Sequence, residues 1–262
     1  MNGMEGILQY QSVCIRYGDR EVVHRVSFAV QPGQVLAIVG ESGCGKSTLL
    51  KAATGLTAPD CRVEGQIFFQ GKPLLDLPKR QRLSLLGSGL GMVFQEAGAS
   101  LCPVRTVGAQ VAESLAAAQG LSRREAKRRA LALFARLDLP GPEGLWRAYP
   151  FQLSGGMQQR VVIAMALLLK PRVLLADEPT SALDTLARQQ VLAELRRRED
   201  AALVLVTHDF GVAAALADRI LVLDAGRTAE EGPAAELLAH PRSEAARRLL
   251  AAVPRLTGRG PA

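Results

Sequence analysis

The chain has 262 residues, of which 48% are hydrophobic and 22% charged, and its 32 Lys and Arg against 25 Asp and Glu give a formal net charge of +7. This composition is ordinary for a soluble globular protein, and the length suffices for one large α/β domain or two small ones. The most apolar runs, such as Val161–Leu169, reach about half of the ~18–20 residues that a membrane-spanning helix needs, so no spanning segment is expected.

The cysteines and the start of the chain bear on its location. Cys14, Cys44, Cys61 and Cys102 are scattered without C-x-x-C spacing, which predicts free thiols in a reducing compartment and no zinc site. The first residues, MNGMEGILQY, lack a basic start followed by an apolar stretch. No secretory signal is therefore predicted, and the protein is expected to stay in the cytoplasm.

The basic excess is densest over Arg123–Arg129, in a segment whose pattern predicts an amphipathic helix with Ser122 and Glu125 in capping-box relation. A basic balance suits nucleic acid or an anionic membrane surface. Aromatic residues make up only 4% of the chain and do not interleave with the patch, which argues against a nucleic-acid site. The patch is interpreted as a solvated surface, and nucleic acid is not predicted as a partner.

In chain order, the β-branched segments at the start predict strands, with turns at Gly18-Asp19 and Pro32-Gly33. A helix is predicted after them, with Gly55 as its end, and then two short strands. The predicted strands are Ile7–Cys14, Val22–Val30, Val35–Val39, Ile67–Phe69 and Gly91–Phe94, and the helix is Lys46–Thr54.

From about Glu96 to Gln152 alanine, leucine and arginine dominate, which predicts a helical subdomain inserted into an α/β core. Strand–helix alternation follows and predicts a parallel sheet covered on both faces. The helices predicted in the insert are Val107–Ala118 and Arg123–Leu137. Those predicted after it are Gly156–Leu169, Thr185–Arg198 and Phe210–Leu216, alternating with strands Val173–Ala176, Ala202–Val206 and Ile220–Asp224, before two short helices over Pro233–Val253 and a frayed end over Pro254–Ala262.

A phosphate-binding loop is predicted directly after an apolar strand and at the start of a helix. The pattern G-x-x-x-x-G-K-[ST] is matched by Gly40, Glu41, Ser42, Gly43, Cys44, Gly45, Lys46 and Ser47, and Thr48 follows. The glycines allow backbone N–H groups to surround a β-phosphate, and the helix N-terminus adds its positive dipole. Lys46 is expected to reach the β- and γ-phosphate oxygens, and the Ser47 hydroxyl to ligate Mg²⁺.

Two acids, Asp177 and Glu178, end the apolar strand that begins at Val173. Carboxylates at the end of a buried parallel strand are costly unless a cation or hydrogen-bond donors meet them. Asp177 is expected to hold Mg²⁺ through water, and Glu178 to orient or deprotonate an attacking water molecule. A capped strand end whose acids meet arginines is the structural alternative.

The run Leu153-Ser154-Gly155-Gly156-Met157 resembles the LSGGQ-type signature of ABC ATPases, ending here in methionine. Ser154 suits the N-cap of a helix with free N–H groups. The resemblance implies an α/β P-loop NTPase of the ABC type, with an N-terminal antiparallel β part and an inserted α-helical subdomain. It also implies that Ser154, Gly155 and Gly156 face the γ-phosphate bound by a second ATPase subunit in a head-to-tail dimer.

Further residues fall in the order of that family's motifs, and their roles are what the resemblance implies. Tyr17 is similar to the aromatic residue that stacks on adenine, and Gln95 to the glutamine that contacts Mg²⁺ and relays the nucleotide state to the helical subdomain. Asp184 belongs to a loop that crosses the dimer seam. His208 is similar to the histidine that contacts the γ-phosphate, whereas His24 and His240 are interpreted as structural.

The resemblance divides the chain into four parts: 1–95 and 161–232 as the halves of the ATPase core, 96–160 as the helical subdomain with the signature, and 233–262 as a tail. ATP and Mg²⁺ are the expected cofactors, and ATP hydrolysis by Glu178, His208 and Lys46 is the expected activity. The expected partners are a second ATPase subunit, two membrane permeases and, indirectly, a solute-binding protein. This places the chain peripherally at the cytoplasmic face of the inner membrane.

The segments Ala97–Val104 and Tyr149–Gln152 resemble those of peptide and nickel importer ATPases. The segment after His208 is short and lacks cysteine, which favours the nickel or metallophore branch, with di- or oligopeptides close behind. An exporter ATPase and a soluble ABC ATPase of DNA repair or translation are the alternatives. The latter usually carry coiled coils, zinc modules or two cassettes, which this sequence lacks.

Overall fold

The computed structural model describes residues 6–197 and 200–251, and of Lys79 only the backbone. The strands are β1 Leu8–Tyr17, β2 Arg20–Val30, β3 Val35–Gly40, β4 Cys61–Phe69, β5 Lys72–Pro73, β6 Leu90–Val93, β7 Val173–Asp177, β8 Ala202–Thr207, β9 Arg219–Asp224 and β10 Arg227–Pro233. The helices are α1 Lys46–Thr54, α2 Lys79–Ser84, α3 Val107–Gln119, α4 Arg123–Arg136, α5 Pro142–Arg147, α6 Gly155–Leu168, α7 Thr185–Arg196, α8 Phe210–Leu216, α9 Ala234–Ala239 and α10 Glu244–Ala251, with 3₁₀ turns at Ala97–Ser100 and Pro150–Gln152.

Two sheets organise the protein. The N-terminal sheet has the antiparallel order β2-β1-β4-β5. Its first hairpin turns at the predicted Gly18, which has φ 55°, a value that glycine adopts without strain. Strands β1 and β2 extend right up to this turn, so Tyr17 ends β1 and pairs with Arg20 and Cys61.

The larger sheet has the order β10-β9-β3-β8-β7-β6 and is parallel except for β10. Every residue of β3, β7 and β8 is buried, as a sheet covered on both faces requires. The register pairs Val39 with Thr207 and Asp177 with Val206. The carboxyl ends of these three strands therefore meet at one edge of the sheet, where α/β folds place their ligands.

The hydrophobic core lies on both faces of this sheet. One face packs against α1 and the antiparallel sheet, through residues such as Leu36, Ile38 and Leu49. The other face packs against α6 and α7 and continues into the helical insert around Phe134 and Trp146. Helices α8, α9 and α10 cover the part of the sheet that lies beside β9.

The predicted fold class is confirmed, with corrections to several elements. Predicted strand Ile7–Cys14 is too short, since β1 continues to Tyr17. Helix α6 begins one residue earlier than predicted, at Gly155, and the described part of α7 ends at Arg196. The strand predicted at Ile67–Phe69 starts earlier, since β4 begins at Cys61. Elements β5, β10, α2 and α5 were not expected from the sequence. The two tail helices are present, while the frayed end predicted for Pro254–Ala262 lies outside the described residues.

Within the two described stretches, no helix combines the length and apolar character that crossing a membrane requires.

Candidate functional site

The loop between β3 and α1 is shaped by its glycines and its lysine. Gly43 and Gly45 have φ 82° and 99°, which favour glycine, and a Cβ on Gly40 would lie 2.3 Å from the carbonyl oxygen of Leu223. The Lys46 side chain, 7% exposed, curls back so that Nζ donates to the carbonyl oxygens of Gly40 at 2.8 Å and Glu41 at 2.7 Å. The ammonium group thus lies within the loop, at the start of a helix, where an anion would be favoured.

Cys44 lies inside the same loop, with Sγ 3.8 Å from Lys46 Nζ. Burial raises the pKa of this thiol above its usual range, although the neighbouring Lys46 ammonium opposes the shift. The thiol is therefore protonated at neutral pH and adds no charge to the loop.

Tyr17 lies beside the start of α1. Its hydroxyl lies near the side chain of Thr48, and partial burial raises the pKa of Tyr17 above its usual range. The ring is half-buried at the end of β1, next to the hairpin turn. The contact brings the predicted aromatic residue and the phosphate-loop helix together, although 30 residues separate them and no local pattern encodes the approach.

The first acid of the predicted pair faces α1. Asp177 is buried, and its Oδ1 accepts a hydrogen bond from Ser47 Oγ at 2.8 Å. Burial raises the pKa of Asp177, while the Ser47 hydroxyl and the nearby Lys51 lower it. A carboxylate and a hydroxyl oxygen held together at the mouth of a phosphate loop fit the oxygen ligands that Mg²⁺ prefers.

The second acid faces the end of β8. Glu178 is only 8% exposed, and its Oε1 accepts from the backbone N–H of His208 at 3.0 Å and lies 2.7 Å from His208 Nδ1. The imidazole itself is 61% exposed. The arrangement fixes one oxygen of the Glu178 carboxylate and leaves the His208 imidazole exposed to solvent. Such a pair is suited to orienting a water molecule and contacting an anion.

The signature segment begins α6. Ser154 is the N-cap, and its hydroxyl accepts from the backbone N–H of Met157 at 3.3 Å. Gly155 is exposed, and a Cβ there would meet nothing within 4 Å. Gly156 lies against the carbonyl oxygen of Ala182, 3.3 Å from where its Cβ would stand. The free end of this helix thus faces solvent and offers N–H groups and a positive dipole to an outside anion.

The remaining predicted residues lie in loops around these elements. Gln95 is exposed and is the second residue after Val93, which ends β6. Asp184 is exposed at the N-cap of α7, where its Oδ1 accepts from the backbone N–H of Ala187 at 2.9 Å. The described contacts connect Ser47, the residue after Lys46, with Asp177 at the end of β7, and connect Glu178 with His208 after β8.

Sequence reasoning missed Gln159. This residue lies in α6 between Gln158 and Arg160 and is buried, and its side-chain amide bonds the backbone of Glu178 and of Ala182. No local signal distinguished it, because its two neighbours in sequence are polar as well. It also missed Arg188, which pairs with Asp209 at 3.0 Å and so links α7 to the turn beside His208.

Among the described residues, no cluster of three or more His, Cys, Asp and Glu side chains could hold a metal ion. A site made of Ser47, Asp177 and phosphate oxygens differs from such a cluster, because the substrate supplies much of the coordination. The hydroxyl oxygen of Ser47 and the carboxylate oxygen of Asp177 are ligands of the kind that Mg²⁺ binds, so this pair fits a magnesium site completed by phosphate oxygens.

A glycine-lined loop between a buried strand and a helix, with an acid-ended parallel strand beside it, defines a P-loop nucleoside triphosphatase. The model of the ABC transporter family matches residues 23–181. The dipeptide transport ATP-binding protein DppD of Bacillus subtilis is 38% identical over 97% of this chain and 78% of that protein. The oligopeptide transport ATP-binding protein OppD of Salmonella typhimurium is 40% identical over 93% and 73%.

Among solved structures, the ATP-binding cassette MJ0796, in a dimeric post-hydrolysis state bound to ADP and Pi, superposes with a TM-score of 0.77. It is 30% identical and covers 87% of this chain and 98% of its own. The chain belongs to the ABC transporter family, and it is an ATP-binding ATPase of that family.

Proposed function

We propose that this chain is the ATP-hydrolysing subunit of an importer for di- or oligopeptides. The observation that carries the cargo class is the 38% and 40% identity to dipeptide and oligopeptide transport ATP-binding proteins over more than nine-tenths of the chain. Residue roles within this activity are proposals too, and rest on the contacts described above.

The expectation of nickel or a metallophore rested on the short segment after His208, and the relatives named above lend it no support. Because the cargo does not need to contact an ATPase subunit, no residue of the site distinguishes peptide from metal chelate. We therefore propose peptide as the cargo on the basis of the relatives, and the test below includes metal chelate as the alternative cargo.

Nucleotide binding is assigned to the phosphate loop and Tyr17. Lys46 would exchange the carbonyl oxygens of Gly40 and Glu41 for β- and γ-phosphate oxygens, since an ammonium group bonds an anion more strongly than a neutral acceptor. Backbone N–H groups between Glu41 and Thr48 would surround the phosphates. The Tyr17 ring, close to Thr48, would stack on adenine.

The metal would be held by Ser47 and Asp177, with Gln95 approaching from the loop after β6. The described hydrogen bond between Ser47 and Asp177, 2.8 Å long, keeps both oxygens at the site. When bound, Mg²⁺ neutralises charge on the β- and γ-phosphates. Asp177 would keep its carboxylate in spite of burial because this cation is its partner.

Hydrolysis is assigned to Glu178 and His208. Glu178 would orient or deprotonate the attacking water, and His208 would donate to the γ-phosphate, with Lys46 adding its charge. Catalysis of this kind is mostly electrostatic, because preorganised donors face the oxygens on which charge develops.

The signature helix would act on a second subunit. Ser154, Gly155 and Gly156 present the N-terminus of α6 to solvent, so this end would complete the site of a head-to-tail partner, with Asp184 near the seam. The partner would be either a second copy or a different ATPase subunit. ATP would then be shared between two chains, and its hydrolysis would loosen their contact.

One of the two permease subunits would dock beside the loop that carries Gln95. An apolar cleft of about 230 Å³ lies there, between β6, α6 and the loop around Leu101. It is lined by hydrophobic side chains that include Leu56, Met92, Phe94, Leu101 and Met165. A permease helix seated in this cleft would hold the chain at the cytoplasmic face of the inner membrane, and the helical subdomain, 96–160, would transmit motion to it. The solute-binding protein would act only through the permeases.

The test is reconstitution of the chain with its co-purifying membrane subunits and their binding protein in proteoliposomes. Peptide import predicts that ATP hydrolysis rises when the binding protein is loaded with di- or oligopeptides and not with nickel chelates. Stimulation by the chelate alone would assign the cargo to the metal branch. An ATP hydrolysis rate that is unchanged by either peptide or nickel chelate, in a chain that co-purifies with nucleic acid, would contradict a transport role.

A further inference from the structure

Gln159 is a buried polar residue near the start of α6, between the half-buried Gln158 and Arg160. It is 2% exposed, and the buried hydrophobic residues Val161, Val162 and Ile163 follow Arg160. Both ends of its amide are used. Nε2 donates to the carbonyl oxygen of Glu178 at 3.2 Å, and Oε1 accepts from the backbone N–H of Ala182 at 3.3 Å.

The backbone of Glu178 needs such support. Glu178 has φ 48°, in the left-handed region that side chains with a Cβ rarely adopt. Conformations of this kind persist only where the surroundings fix them, and they recur at catalytic positions. Here the N–H of Glu178 donates to Val206 at 3.0 Å, and its carbonyl oxygen accepts from the Ser181 hydroxyl at 3.1 Å as well as from Gln159.

Gln159 also connects the start of α6 with the loop that follows β7. Gly156, one turn before Gln159 on α6, lies against Ala182 of this loop. Gln159 binds the loop at the same residue. The start of α6, the loop over 181–184 and Glu178, which directly follows β7, are therefore linked within one chain. Any displacement of α6 when its free end meets an anion would reach Glu178 through this amide.

We propose that Gln159 is a positioning residue, which holds Glu178 in its left-handed conformation and ties it to the signature helix. It does not touch ATP itself and acts through Glu178. The inference rests on the proposed catalytic role of Glu178, and the experiment keeps the two apart.

The test compares Gln159→Met with wild type in the purified transporter complex that holds this chain. Methionine keeps the length and most of the volume of glutamine but neither donates nor accepts as the amide does, so packing is preserved. We expect kcat for ATP hydrolysis to fall by about tenfold or more while KM for ATP stays within about twofold. Gln159→Leu serves as a second variant, because it also lacks both the donor for Glu178 and the acceptor for Ala182 and fills the site with a different apolar shape.

Gln119→Met is the matched control. Gln119 also uses both ends of its amide, donating to the carbonyl oxygen of Leu168 at 2.8 Å and accepting from Arg129 at 3.4 Å, but it lies away from both acids. This variant should lose less thermal stability than Gln159→Met, because Gln119 is only half-buried, and it should keep the wild-type kcat.

Wild-type kcat in Gln159→Met, or an equal loss in Gln119→Met, would overturn the proposal. If Gln159→Met fails to fold, Gln159→Leu decides in its place. Glu178→Gln is measured alongside. Full turnover in that variant would remove the role of Glu178 itself, whereas an inactive Glu178→Gln beside active Gln159 variants would refute only the inference about Gln159.

Discussion

The same carboxylate oxygen of Glu178 makes two contacts with His208. Oε1 of Glu178 accepts from the His208 backbone N–H at 3.0 Å and lies 2.7 Å from Nδ1 of the same residue. The two residues come from the ends of neighbouring parallel strands, β7 and β8. This contact connects Glu178, which is proposed to orient or deprotonate the attacking water, with His208, which is proposed to contact the γ-phosphate. Substitutions can test both roles directly.

Glu178→Gln should retain ATP binding and lose turnover. Glutamine keeps an Oε1 that can accept from the His208 backbone, so the local fold should survive, but it is a far weaker base than a carboxylate. We expect ATP hydrolysis to fall by about 100-fold or more, the scale of general-base catalysis. Phosphate release measures the loss, and size-exclusion chromatography with ATP should show a nucleotide-locked dimer.

The matched control for that variant is Glu113→Gln, an exposed change on α3 beside Arg105, which should hydrolyse ATP at the wild-type rate. Full activity in Glu178→Gln would contradict the role of this acid. Loss of both activities would point to a general effect of removing a carboxylate.

Lys46→Ala should weaken nucleotide binding itself. The ammonium of Lys46 is buried in the loop, and alanine removes the charge that would bond the phosphates. Charge-assisted bonds are worth roughly 1.5–3 kcal/mol, so the Kd for ATP should rise by about tenfold or more. Titration with a fluorescent ATP analogue measures the change. Lys72→Ala, at an exposed position of β5, is the control, and unchanged affinity in Lys46→Ala would exclude the lysine from the site.

Local patterns predicted the parts of the site that are contiguous in sequence. The phosphate loop before Lys46, the acid-ended strand at Asp177 and the cap at Ser154 each combine a strand or helix boundary with the residue types that the chemistry needs. The resemblance then placed Tyr17 and His208, which a single sequence would otherwise leave as ordinary surface residues.

The contacts between these parts could not be predicted, because they depend on strand order. The pairing of Glu178 with His208 spans 30 residues, and that of Gln159 with Glu178 spans 19. Strand β10 was missed for a related reason: Arg227–Pro233 is polar and contains glycine and proline, so it forms a strand only by pairing with β9 at the sheet edge.

Gly155→Asp should block the proposed action of α6 on a partner subunit. A side chain at this position meets nothing within 4 Å in the chain itself, so the variant should fold. Its carboxylate would stand at the helix end that is proposed to face a γ-phosphate, where two negative charges repel. We expect ATP-dependent dimerisation to be lost and turnover to fall by about tenfold or more, with ATP affinity of the single subunit within about twofold of wild type.

The control for this charge is Gly144→Asp, because Gly144 is likewise exposed and has no atom within 4 Å of an added Cβ. It should dimerise and hydrolyse ATP normally. Normal dimerisation by Gly155→Asp would remove the signature helix from the interface, and impaired dimerisation by Gly144→Asp would show that any added carboxylate interferes.

Gly108→Ala should destabilise the helical subdomain although alanine favours helices. A Cβ on Gly108 would lie 2.3 Å from Cε2 of Trp146 and 2.5 Å from its carbonyl oxygen, and Trp146 belongs to the buried core of the subdomain. Overpacking of this kind costs about 1–3 kcal/mol, which exceeds the gain of up to ~1 kcal/mol from replacing glycine in a helix. For a chain of this size each kcal/mol lowers Tm by about 2–4 °C, so calorimetry can resolve the change. Gly144→Ala is the control, because Gly144 lies in α5 and an added Cβ there meets no atom within 4 Å. It measures the effect of helix propensity alone and should leave Tm unchanged or raise it. If Gly108→Ala and Gly144→Ala had equal Tm values, Trp146 would be able to move aside without loss of stability. The contact between α3 and α5 would then be loosely packed.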